Sequence, residues 1–118
     1  MSYDIRLKDA TTGKTLCADE IHGVNGGTMV MGGTSELWLN VTYNYGRIFY
    51  RLMGEKGIRT IYGMTGAESV PVLEAAIAQL GDDVHADYWA ATEGNAKAAL
   101  NGLLVFARLQ PEGVWDGD

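Results

Sequence analysis

The chain has 118 residues, 47% of them apolar and 20% charged, which is enough apolar content for one packed core and too little charge for a disordered segment. Fifteen acidic residues against nine basic ones give a net charge of -6, which repels a phosphate backbone and argues against general binding to duplex nucleic acid. A single cysteine rules out an internal disulfide, no apolar run approaches the ~20 residues of a membrane helix, and Met1-Ser2-Tyr3-Asp4 lacks a signal peptide's basic, apolar start, so a cytosolic protein without a membrane partner is expected.

In chain order, Tyr3, Ile5 and Leu7 alternate with Asp4, Arg6 and Lys8, the period-two pattern of a half-buried strand. Asp9 to Gly13 reads as a turn, Thr15 to Ala18 as a returning strand, and Asp19 to Gly27 as a loop. A further strand is expected near Thr28 to Met31, bracketed by turns at Gly26-Gly27-Thr28 and Gly32-Gly33-Thr34. Leu37, Leu39 and Val41 alternate with Trp38, Asn40 and Thr42, which would place the latter three on one face of another strand.

The period then changes. Tyr45, Ile48, Phe49 and Leu52 follow helical spacing, with Asn44 as the expected N-cap and Gly54 or Gly57 as the stop. Ile58 to Tyr62 reads as a short extended piece. Leu73, Ala76, Ile77 and Leu80 mark a second helix, for which Ser69 before Pro71 is the preferred cap, while Thr65 and Glu68 have the spacing of a competing capping box. Thr92 should cap a third helix from Glu93 to Leu109, apolar around most of its circumference and therefore central or part of a subunit interface. Beyond Pro111 the chain reads as a tail pinned by Trp115. The expectation is a single α+β domain over 1–118: residues 1–43 forming antiparallel hairpins and a small sheet, 44–110 about three helices packed on it, and 111–118 the tail.

Residues with chemistry are few. Cys17 has no neighbouring cation to lower its pKa and is expected to pack as a strand thiol. His22 and His85 stand in no zinc-binding pair, and no nucleophile elbow, Walker loop or dinucleotide fingerprint occurs, so no metal, cofactor or catalytic residue is assigned. Glu68, Glu93 and Asp116 are the carboxylates nearest to loops. The glycine- and hydroxyl-bearing loop Gly63 to Ser69, with Thr65, Glu68 and Ser69, precedes a helix and suits either an anion or a plain cap. The most informative cluster joins Asn40, Thr42, Tyr43, Asn44 and Tyr45 at a strand-to-helix corner, where amides and aromatic rings suit a flat polar ligand such as a nucleobase. Arg47 or Arg51 would meet its phosphate; these two, with Lys56 and Arg59, make up four of the nine cations. Trp89, Thr92, Glu93 and Asn95, on the approach to the third helix, complete the candidate ligand-binding set.

Asn40-Val41-Thr42-Tyr43-Asn44-Tyr45, Gly57-Ile58-Arg59 with Ile61-Tyr62-Gly63, Thr65-Gly66-Ala67-Glu68-Ser69-Val70-Pro71, Tyr88-Trp89, Thr92-Glu93-Gly94-Asn95-Ala96-Lys97 and Trp115-Asp116-Gly117-Asp118 carry a likeness that extends over most of the chain. In them the chain resembles a small family without assigned activity met in bacteriophages, prophages and their hosts. The resemblance implies a setting, that of counter-defence proteins which block a host immune enzyme or sequester its nucleotide signal. Three functional classes follow. The first is a non-enzymatic, homo-oligomeric binding protein for a small-molecule or nucleotide-like ligand. The second is an interaction module for a host protein partner or for virion assembly. The third is a small hydrolase or transferase.

Overall fold

The computed structural model describes residues 2–24, 29–87 and 89–118, with the backbone alone for 20–24 and 29–34. Its order is β1 (Ser2–Lys8), β2 (Cys17–Val24), β3 (Met29–Glu36), β4 (Trp38–Thr42), α1 (Gly46–Met53), α2 (Gly66–Ala78), α3 (Glu93–Leu109) and β5 (Val114–Gly117), an α+β arrangement. Short 3-10 turns at Tyr43–Tyr45 and Gly57–Ile61 lead into and out of α1. β1 is the middle strand of an antiparallel sheet ordered β4-β1-β5. Its alternation survives intact, with Tyr3, Ile5 and Leu7 buried on one face. The register sets Tyr3 opposite Val41, Ile5 opposite Leu39 and Leu7 opposite Trp115, so each apolar side chain on β1 has an apolar partner across the sheet.

β2 and β3 pair with each other, antiparallel, as a separate two-stranded sheet with register shifts along the pair. Their base is tied to the main sheet where Leu16 N–H donates to Leu7 O at 2.9 Å and Leu37 N–H to Leu16 O at 2.8 Å. The helices cover the opposite side of the core. α3 lies against α2 and meets β4 near Gly102, which faces the Leu39 side chain. Ala96, Ala99, Leu100, Leu103, Leu104, Phe106 and Ala107 are buried on α3, whereas Ala98, Asn101, Val105, Arg108 and Leu109 form an outer stripe. The helix is therefore central and still has one wet side.

Several expectations are corrected. The segment 111–118 is no tail: Val114–Gly117 completes the sheet against β1, and Gly63–Gly66 covers its outer edge through Gly63 N–H to Trp115 O and Gly66 N–H to Gly113 O. Ile58 to Tyr62 is not extended, because Gly57 at φ +56° starts a 3-10 turn that buries Ile58 and Ile61 three residues apart. Ser69 is not the cap of α2. Thr65 is, with both halves of the capping box formed: Thr65 N–H to Glu68 Oε1 at 2.9 Å and Glu68 N–H to Thr65 Oγ1 at 3.1 Å. The Thr65 backbone N–H, and after it the Thr65 side chain, hold the Glu68 carboxyl below its ordinary pKa.

Nor does Asn44 cap α1. Thr42 accepts the Asn44 N–H at 3.2 Å, which frees the Asn44 side chain for another partner. β2 begins later than expected and runs through Asp19 into the region read as loop, and Gly32-Gly33-Thr34 lies inside β3 instead of forming a turn. The companion Gly26-Gly27-Thr28 lies outside the described residues. Cys17, at the start of β2, is exposed instead of packed.

Candidate ligand-binding face

The corner is built by a change of period. β4 delivers Leu39 and Val41 to the core, Thr42 turns the chain, and Tyr45, Ile48 and Phe49 then become the buried side of the helical segment. Tyr45 packs edge-on against Phe49 at 6.1 Å between centroids. What remains outside is set by helical spacing: Tyr43, Arg47, Tyr50 and Arg51 point to solvent, with Tyr43 36% and Tyr50 44% exposed.

One flank of this face comes from distant chain segments. The Tyr3 ring meets Tyr43 edge-on at 4.6 Å. Tyr50 lies over Gly57, where a Cβ would stand 3.1 Å from the ring, a tight contact. The Arg59 guanidinium carbon stands 4.9 Å from the Tyr3 centroid and 5.9 Å from that of Tyr43, within range of both ring faces. Arg59 Nε donates to Asp118 Oδ1 at 2.8 Å, and the Tyr62 hydroxyl reaches the same oxygen at 3.4 Å. Burial, aided by the neighbouring Tyr50, pushes the Tyr3 phenol above its ordinary pKa; burial and then the Asp118 charge push Tyr62 further up. Both phenols therefore stay neutral donors throughout the physiological range.

The other flank is the approach to α3. Asn44 Nδ2 donates to the Trp89 carbonyl at 2.7 Å, and Arg51 pairs with Glu93 at 3.2 Å, so the corner and this loop adjoin. Trp89 is 39% exposed. The loop's shape is held from within by Asn95, a buried amide that accepts from His85 N–H at 3.1 Å and donates to the Asp87 and Ala90 carbonyls at 3.1 and 3.0 Å. Thr92 caps α3 by accepting from Asn95 N–H, as its sequence position predicts.

No protein-family model, curated protein or solved structure matches this chain.

Of the residues singled out by sequence, Asn44, Arg51, Trp89 and Glu93 come together, and Tyr43 and Arg47 share the outer side of the same helical segment. Thr42, Tyr45 and Asn95 are buried beneath it and shape it. Asn40 is engaged elsewhere, on the outer side of the sheet, donating to Ser2 Oγ and Asp4 Oδ1 at 2.7 and 2.6 Å. Thr65, Glu68 and Ser69 serve α2 and β5, with Ser69 Oγ accepting from Trp115 Nε1 at 2.7 Å. Tyr88 lies outside the described residues.

Sequence reading missed Tyr3, Tyr50, Arg59, Tyr62 and Asp118 as site residues. Tyr50 carried a usable signal, since it falls three residues after Arg47 and off the apolar stripe. The three loop carboxylates are all occupied and in different places: Glu68 in the capping box, Glu93 with Arg51 and the Gly81 N–H, and Asp116 with Arg6 and Lys8. A shallow cavity of about 220 Å³ does exist, between Asp9-Ala10-Thr11 and Gln110-Glu112-Gly113, and none of the predicted site residues lines it.

Proposed function

We propose that this is a non-enzymatic binding protein, of the kind that sequesters a small polar, nucleotide-like ligand, with the outer side of α1 and its two flanks as the binding face. The observation that carries this reading is the placement of the partly exposed Tyr43 and Tyr50 on the same outer side of the helical segment as Arg47, which makes no ion pair among the described residues, with the partly exposed Trp89 on the loop that Asn44 ties to that side. Rings supply stacking surfaces tolerant of the base, and a free guanidinium supplies a charge for a phosphate. In a chain of net charge -6, such a local cation stands out against its surroundings.

Calorimetry against nucleotides and cyclic dinucleotides tests it. At least one should bind in the micromolar range, with Asn44→Ala plus Arg47→Ala weakening it about a hundredfold, as the loss of a charge-assisted contact and of the loop tether predicts. Binding no tighter than about millimolar across the panel, or an unchanged affinity in the double variant, would remove the reading.

A second reading, an interaction module that also joins copies of the chain, is favoured by Val105 and Leu109, which stand 53% and 54% exposed one turn apart on the outer stripe of α3. Sedimentation should then show a dimer that Val105→Asp converts to monomer. A wild-type chain that is monomeric at high concentration argues against self-association by this stripe.

A further inference from the structure

We propose that Arg59 is a second oxyanion contact of the binding face besides Arg47, taking the phosphate or carboxylate of a ligand whose ring lies against Tyr43 and Tyr50. This assignment rests on the reading of that face as a ligand site and adds the chemistry that orients the ligand.

Arg59 leaves a 3-10 turn whose Ile58 and Ile61 are fully buried, so its backbone is anchored on both sides. Its guanidinium rests against the Tyr3 and Tyr43 rings and donates its Nε–H to Asp118. A guanidinium carries five N–H donors in a fixed fork, and the Asp118 contact uses one. Neither Nη atom has a hydrogen-bond partner among the described residues, and a third of the side chain is exposed, 34%.

The remaining edge is therefore oriented, charged and open, the geometry that matches the two oxygens of a phosphate or carboxylate. An arginine serving only to fasten Asp118 would gain more from a two-pronged contact than from the single Nε bond observed. The partly exposed Tyr43 ring borders the guanidinium, and the partly exposed Tyr50 ring approaches Gly46 beside the Tyr3 hydroxyl on the same flank, which favours an oxyanion attached to an aromatic body over a bare inorganic ion.

Asp118 sits on the opposing side of the ledger. Its carboxylate orients the fork and also lowers the attraction for a second anion. Asp118→Asn separates these effects, because the amide oxygen still accepts from Nε while the charge is gone.

The test follows arginine side-chain N–H signals of the whole chain by NMR at constant ionic strength, with phenyl phosphate, benzoate, inorganic phosphate and phenol as probes. Phenyl phosphate or benzoate should move the Arg59 signals saturably, phenol should not, and whichever ester or acid binds better identifies the oxyanion. The aromatic anion should bind about tenfold tighter than inorganic phosphate, reflecting the added ring contacts. Arg59→Lys, at an unchanged melting temperature, should lose about tenfold because the fork is replaced by a point charge. Asp118→Asn should tighten binding about threefold or more by removing the competing charge.

Arg59 signals that stay still while a nucleotide moves the Asn44 and Trp89 signals would overturn the Arg59 assignment and leave the face as a ligand site. Silence of every probe and nucleotide over the whole face would overturn both. A loss of affinity in Asp118→Asn would overturn the competition between the two anions.

Discussion

Replacing Trp115 with alanine should cost about 3–5 kcal/mol, the range for truncating a large buried aromatic, and a domain of ordinary stability, roughly 5–15 kcal/mol in all, would then be close to unfolding. Trp115 is 1% exposed and sits opposite Leu7 on the middle strand. Its backbone is bound on the other edge as well, donating to Met64 O and accepting from Gly63 N–H, each at 2.9 Å. The indole Nε1 donates to Ser69 Oγ at 2.7 Å, and that hydroxyl passes its own proton to Gly66 O at 2.8 Å. One side chain thus joins β1, the turn before α2, and α2 itself. Trp115→Phe keeps most of the ring and deletes the N–H, so it should cost about 1 kcal/mol for the lost hydrogen bond plus a smaller packing term. Urea unfolding followed by circular dichroism measures both. A cost for Trp115→Ala near that of Trp115→Phe would mean that the ring is not the joint described here.

That joint explains where the sequence could be read and where it could not. The alternation of β1, the alternation of β4 and the Thr92-capped helix are local patterns, each visible within one window, and each forms as expected. Val114-Trp115-Asp116-Gly117 has no such pattern, and it becomes a strand because β1 offers a free edge 106 or more residues away in the chain. The competition between Thr65 and Ser69 was likewise open locally; it is decided by Trp115, which claims the Ser69 hydroxyl from across the fold.

The binding face divides in the same way. Tyr43, Arg47 and Arg51 follow from helical spacing after Thr42. Tyr3 and Arg59 join Tyr43 only through the pairing of β1 with β4 and the turn after α1, neither of which leaves a mark at those positions. Asp118 reaches Arg59 only because β5 exists.

Gly94→Ala should destabilise the chain by about 1–3 kcal/mol, the usual cost of forcing a methyl into a filled space, although alanine is the better helix former by up to about 1 kcal/mol. Gly94 is the second residue of α3, and a Cβ there would stand 2.6 Å from Val84 N, 2.7 Å from Asp83 C and 2.9 Å from Asp82 C. All three are backbone atoms, so no side-chain rotation relieves the clash and the 82–84 segment must move. That segment is clamped by the same turn of helix. Gly81 N–H donates to Glu93 Oε1 at 2.9 Å, Gly94 N–H to Asp83 Oδ1 at 3.1 Å, and His85 N–H to Asn95 Oδ1 at 3.1 Å. Lys97 adds an ion pair to Asp82 at 2.8 Å.

Pushing the loop outward strains these contacts together and shifts Trp89, which the same loop carries to the binding face. The variant should therefore melt lower, exchange the 81–90 amides faster and bind its ligand more weakly. Gly102→Ala on the same helix is the matched comparison, since its Cβ would meet Leu39 at 3.5 Å, an ordinary contact. There the helix propensity should prevail and raise stability slightly. Equal shifts of the same sign at 94 and 102 would show that helix propensity alone is at work, and that the loop is not held against Gly94 in the way its geometry requires.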